Sequence, residues 1–301
     1  MNWKDFKTSI ELYPSPPFNF EECLVFLRRS NREILHDYKE KALYKVIQVD
    51  NKPILCKMRS KNQHLQVDFL SGMPSKSLRE KVALYVWEWF DLEQDLALFY
   101  KEVEDDPLLQ PLIKKYKGLK LIGIPDLFEA LVWAIIGQQI NLSFAYTLKA
   151  RFVKQFGESV SFAGEVYWLH PTYEKVAHLE VEELRKLQFT QRKAEYVIGV
   201  AKMMATGQLS KAGLMRRKAY EAQQKALMTI RGVGAWTADY VLMRCLRHPS
   251  AFPIADVGLH NAIKFQLGLE RKPTLGEIHT IQSHWQGWQA YATFYLWRSL
   301  L

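Results

Sequence analysis

Apolar and polar positions change their period once along this chain. Over residues 42–70, ALYKVIQVDNKPILCKMRSKNQHLQVDFL, apolar residues partly alternate in three short runs separated by the turn-rich pieces DNKP and SKNQ, which predicts an antiparallel meander. The flanking stretches FEECLVFLRRS and SLREKVALYVWEWF carry apolar residues at helical spacing, so residues 1–95 are expected to form a small α+β domain. Beyond it the pattern is almost wholly helical. The long periodic stretch LFEALVWAIIGQQINLSFAYTLKARFVKQFG predicts two helices, broken near residues 137–141 and ended at Gly157. Further helices are expected at 181–187, 191–206 and 218–229, with turns at Gly207 and Gly213.

Length and composition agree with two or three domains, since 301 residues at 48% hydrophobic content can bury substantial cores. The three cysteines, Cys23, Cys56 and Cys245, are too widely spaced for a disulfide framework or a clustered metal site, which fits a reducing compartment. MNWKDFKTSI lacks the apolar core of a signal peptide and no run of 18 apolar residues occurs, so a cytoplasmic protein without a membrane span is expected.

Charge alters the picture more than composition does. The chain carries 41 Lys and Arg against 32 Asp and Glu, a net +9, and residues 184–249 alone hold 13 basic residues against 3 acids. Arg192, Lys193, Arg216, Arg217, Lys218, Lys225, Arg231, Arg244 and Arg247 surround one motif, as a phosphate-binding surface requires; the alternative is a basic, solvated helix face.

That motif is IRGVGAWTADYV, residues 230–241. Helical patterns precede and follow it, so IRGVG must reverse the chain within about four residues, and glycines let it do so while leaving backbone N–H groups free to face an anion. Some twenty residues later comes FPIADVGLHNAIKFQLGL, in which Pro253 blocks a continuing helix and Asp256 stands where a helix N-cap belongs. Capping alone accounts for an aspartate there.

Gly232, Gly234, Pro253 and Asp256 in this order resemble the signature of the helix-hairpin-helix (HhH-GPD) DNA glycosylase superfamily. Within it the chain is most similar to the 3-methyladenine DNA glycosylase II type, matching from PPFNFEECLVFL through AIIGQQI to WQGWQAYATFYLW. The resemblance implies a mostly α fold: an N-terminal α+β domain of TATA-binding-protein-like topology, then two helical domains, one over 127–248 and one assembled from 96–126 and 249–301. It implies a monomer that binds double-stranded DNA containing alkylated bases and needs no cofactor. Asp256 is assigned to stabilising the oxocarbenium-like transition state, and Trp236, Tyr240, Trp297 and Phe26 to the base pocket. Thr237, Arg231 and Lys225 join Gly232 and Gly234 on DNA, and Gln139, flanked by Ile140, takes the place where relatives can carry a leucine wedge. A monovalent cation is assigned to the backbone carbonyls of Met228, Ile230 and Val233, and no catalytic metal is implied.

Lyase relatives carry an attacking lysine two residues after the second hairpin glycine; here that position is Trp236. A monofunctional glycosylase is therefore expected. The rivals are a bifunctional 8-oxoguanine-type glycosylase/lyase and a non-catalytic DNA-binding protein that has kept the hairpin.

Overall fold

The computed structural model describes residues 1–62 and 64–301. Its N-terminal part is built on an antiparallel sheet of six strands, β1 (Trp3–Asp5), β2 (Ser9–Leu12), β3 (Asp37–Lys39), β4 (Ala42–Val49), β5 (Lys52–Lys61) and β6 (His64–Phe69), in the order β1-β2-β6-β5-β4-β3. The expected meander is its centre, with Val46 opposite Leu55 and Met58 opposite Val67. The three added strands are three or four residues long, too short to display a period. Helices Phe20–Leu27 and Lys76–Trp89, capped by Asn19 and Ser75, share a core with the sheet through Phe20, Leu24, Leu78, Val82 and Val86.

Strand β4 is buried without interruption from Ala42 to Ile47, which explains why its alternation is only partial. Its second face is covered by a hairpin from the helical region, β7 (Glu158–Phe162) and β8 (Glu165–Leu169), whose Tyr167 ring stacks on Tyr44 at 5.9 Å. This hairpin departs from the all-helical expectation. Its signal was in the text as SVSF and EVYW around Ala163-Gly164, both of which adopt positive φ, +50° and +83°, as a tight two-residue turn requires.

Helix Leu127–Gly137 runs through the middle of the helical region and is buried on nearly every side. Asp126 starts it by accepting the Glu129 N–H, and Asn141 starts the next helix, Leu142–Phe156, in the same way. Around the central helix pack Gln191–Ala205 and Ala235–Arg244. The chain then closes on itself: helix Gln289–Arg298 returns to Leu96–Glu102, where Phe99 lies 5.4 Å from Tyr295 and the Tyr100 and Tyr295 hydroxyls are 2.8 Å apart. Among the described residues no helix is long and apolar enough to cross a membrane.

Among the ion pairs that tie the sheet side to the helical side, the Glu33–Lys149 pair is the most deeply buried. The Lys149 ammonium donates to both oxygens of Glu33 at 2.8 and 2.9 Å, and both side chains are about nine-tenths buried. Burial alone would raise the Glu33 carboxyl; the Lys149 ammonium outweighs it and holds the group well below the usual carboxylate range. A carboxyl depressed on folding stabilises the protein above its unfolded value, near 4.5, and loses that contribution as pH falls below it. Replacing Glu33 by Gln leaves a buried ammonium uncompensated and should cost about 3 kcal/mol at neutral pH. The gap in Tm between wild type and Glu33→Gln should narrow on acidification from pH 7 to pH 3; a gap that ignores pH overturns the assignment.

Candidate active site and nucleic-acid interface

Helices Tyr220–Met228 and Ala235–Arg244 form the hairpin, joined by a turn in which Gly232 takes φ +91°. A Cβ on Gly232 would lie 2.3 Å from ring carbons of Tyr196, so both backbone and packing demand glycine there. Gly234 differs. Its φ of −90° and ψ of −179° are open to any residue, and a Cβ would meet nothing within 4 Å. The protein's own packing gives no reason for glycine at 234, whereas close approach of an outside group to the N–H groups of the following helix does. A buried Asp239 braces the two helices, accepting from the Tyr220 hydroxyl and, at 2.7 Å, from Gln224.

The turn that ends the central helix is latched to this hairpin. Gln138 donates to the Gly232 carbonyl and to the Thr237 hydroxyl, both at 2.9 Å, which leaves Gln139 exposed at the tip with φ +57° and Ile140 packed behind it. The Lys193 ammonium, buried, caps the same helix at the Ile136 carbonyl, 2.7 Å away.

Asp256 caps helix Val257–Gln266 by accepting the Leu259 N–H on Oδ1 at 2.8 Å. Two indoles complete its coordination. Trp297 donates to Oδ1 at 2.8 Å and Trp236, at the start of the second hairpin helix, donates to Oδ2 at 3.0 Å. Between the indoles stands Tyr240, with ring centroids 5.6 Å from Trp236 and 6.0 Å from Trp297. The Tyr240 hydroxyl in turn accepts from Trp133 and Arg244, each at 2.8 Å. A half-buried carboxylate, three N–H donors and a row of aromatic rings thus meet beside the hairpin, a set suited to stabilising positive charge.

Comparison with known proteins decides the family. The family model described as "HhH-GPD superfamily base excision DNA repair protein" matches residues 132–286, and the one described as "8-oxoguanine DNA glycosylase, N-terminal domain" matches residues 16–131. A DNA-3-methyladenine glycosylase of Bacillus subtilis (strain 168) is 44% identical over 303 residues, covering 100% of both chains. The chain belongs to the HhH-GPD superfamily. The HhH-GPD fold is also that of a 3-methyladenine DNA-glycosylase from Archaeoglobus fulgidus, with a TM-score of 0.82 at 23% identity over 96% of this chain and 97% of that one. A Clostridium acetobutylicum 8-oxoguanine glycosylase/lyase in complex with double-stranded DNA superposes with a TM-score of 0.77 at 17% identity, over 99% and 97% of the two chains.

The structure places the residues singled out in the sequence of this HhH-GPD chain in different surroundings. Thr237 does not face outward: it is 2% exposed, because the third residue of its helix turns inward to receive Gln138. Phe26 is 3% exposed and lines a small internal cavity with Trp133, Tyr146 and Arg244, with the Arg29 guanidinium 3.8 Å from its ring centre and Phe294 at 4.5 Å. Of the basic residues around the hairpin, Lys193 and Arg244 are buried, and Arg247 pairs with Asp91 and Glu88 at 3.3 and 3.6 Å. Arg231 is exposed but bonded to Glu195 at 2.7 Å, whereas Lys225, Arg192, Arg216, Arg217 and Lys218 are exposed. Met228 ends the first hairpin helix and Ile230 and Val233 lie in the turn, where the Ile230 carbonyl already accepts the Val233 N–H at 3.0 Å and retains one lone pair. Sequence reasoning missed Gln138 and Trp133, whose only signal was a second aromatic residue in a largely apolar helix and a polar residue at its exit.

The two glycines should separate stability from binding. Gly232→Ala should cost about 2 kcal/mol or more through strain and the Tyr196 clash. Gly234→Ala should leave Tm nearly unchanged yet weaken duplex binding roughly tenfold, as loss of one charge-assisted backbone contact does. Thermal melts and fluorescence anisotropy read the two effects, and equal behaviour of the variants sinks the distinction.

Proposed function

We propose that this protein is a monofunctional DNA glycosylase: it binds double-stranded DNA as a monomer, flips out an alkylated purine such as 3-methyladenine, and hydrolyses its N-glycosidic bond. The observation that carries this reading is the Asp256 carboxylate held by two indole N–H groups beside the hairpin. The hairpin N–H groups and the exposed cations near them grip the lesion strand without reading sequence, and Gln139 at its turn tip enters the space that the flipped nucleotide leaves.

An N-alkylated purine is positively charged, and the electron-rich indole faces attract it. A base inserted between two rings needs roughly 7 Å, twice the carbon contact distance of about 3.5 Å. The spacings of 5.6 and 6.0 Å around Tyr240 are smaller, so the base does not insert between Tyr240 and either indole and stacks on an indole face turned away from Tyr240. As the bond from C1′ to the base nitrogen breaks, the electron pair leaves with the base and positive charge grows on the sugar. Asp256 opposes that charge, and water then adds to C1′ and loses a proton. Its three donors keep the carboxylate fixed, so little reorganisation is needed at the transition state.

The bifunctional reading has one point in its favour, the match of residues 16–131 to an 8-oxoguanine glycosylase N-terminal domain. Against it stands Trp236, whose indole occupies the motif position of the attacking lysine and is itself bonded to Asp256.

Incubation with duplex DNA carrying alkylated purines should release free 3-methyladenine and leave abasic sites without strand nicking. Nicking supports the lyase reading, and absence of base release refutes both. Asp256→Asn should lower excision by a factor of about 100 or more. Asparagine is an equally good cap, so the variant should remain folded and bind duplex as wild type does.

A further inference from the structure

Helix Val257–Gln266 opens with an unexplained residue. Gly258 is its second position, where glycine weakens a helix relative to alanine, and its φ lies outside the left-handed region that would require it. The space around it supplies the reason. A Cβ at 258 would lie 2.9 Å from Asp256 Oδ1, 3.3 Å from Trp297 Nε1 and 3.4 Å from Trp297 Cδ1. The absent side chain is therefore the gap through which the Trp297 indole reaches the carboxylate at 2.8 Å.

We propose that Gly258 is a positioning residue for the excision reaction: by presenting no side chain, it lets Trp297 donate to Asp256 and so fixes one aromatic wall against the reacting carboxylate. This rests on the reading of Asp256 as the group that stabilises the transition state. A methyl group at 258 forces one partner to move. The methyl group presses hardest on Asp256 Oδ1, which the Leu259 N–H holds within its own helix. It also presses on the half-buried Trp297 indole from a different helix, so it wedges the two apart and lengthens their hydrogen bond. Two things change together. Asp256 loses a donor that stabilises its charge, and the indole turns away from the orientation in which its face meets the base.

Gly258→Ala is an unusual test because an ordinary packing role and this role predict opposite signs. Alanine favours the helix, so Tm should stay level or rise, while single-turnover release of an alkylated purine falls roughly tenfold, the effect of one weakened charge-assisted hydrogen bond, with duplex affinity within about twofold. The loss should run through Trp297: in a Trp297→Phe background, whose ring has no N–H, the same glycine substitution should change the rate by less than about twofold. In a ¹⁵N-correlated NMR spectrum the Trp297 indole signal, assigned by its disappearance in Trp297→Phe, should move upfield in Gly258→Ala. An unchanged rate, a Tm that drops in step with activity, or a full tenfold loss persisting in the Trp297→Phe background each overturns the proposal. A wild-type protein that releases no base refutes the glycosylase reading, and the indole signal still decides whether Gly258 holds Trp297 on Asp256.

Discussion

A single carboxylate shared by three parts of the chain organises this molecule's chemistry. Asp256 takes a backbone N–H from its own helix, an indole N–H from the hairpin and another from the helix Gln289–Arg298. An aspartate that only caps needs the first of these, and the other two impose a geometric condition: the hairpin helix and the final helix must arrive at the same point with their tryptophans turned inward. The packing of Leu96–Glu102 against Gln289–Arg298 and of the central helix against Ala235–Arg244 meets that condition.

The central helix also relates recognition to chemistry. Its exit carries Gln139, its neighbour Gln138 grips the hairpin carbonyl of Gly232, and Trp133 within it donates to Tyr240 between the two indoles. Displacement of this helix would therefore shift the Gln139 tip, the hairpin turn and the aromatic row together. A helix buried on nearly every side can move little, and the buried Lys193 at its last turn restrains it further. The Glu33–Lys149 pair adds a cross-tie from the sheet side to the helix that follows.

Legibility in the sequence followed the range over which each feature is encoded. Helices such as Leu127–Gly137 and Leu142–Phe156, with Asp126 and Asn141 as caps, and the glycine turn carry local signals within a few residues, and these could be read. Strands β1, β2 and β3 could not, since strands of three or four residues exist only because a neighbour pairs with them. The hairpin β7–β8 was legible as alternation but was outweighed by the helical text around it. At the site, Trp236 and Asp256 were placed by motif, yet their mutual hydrogen bond spans 20 residues and that of Trp297 spans 41, distances over which spacing carries no information. Thr237 and Phe26 show why burial was not legible: a motif position fixes where a residue falls along the chain, and tertiary packing decides which way it faces.

Charge illustrates the same limit and bears on binding. The surplus around the hairpin is not one surface, because Lys193 caps a buried helix, Arg244 holds Ile122 and Tyr240, and Arg247 answers Asp91 and Glu88. Burial lowers the basicity of the Arg244 guanidinium but its partners keep it in place, and no counterion surrounds it for DNA to release. Inward cations of this kind serve the aromatic row, where Arg244 fixes the Tyr240 hydroxyl. The exposed ones, Lys225 and the 216–218 cluster among them, are the groups available to phosphate. A strongly basic segment is thus divided between buried cations that hold the aromatic row in shape and exposed ones, and under the proposed function the salt dependence of DNA binding should scale with the outward share alone.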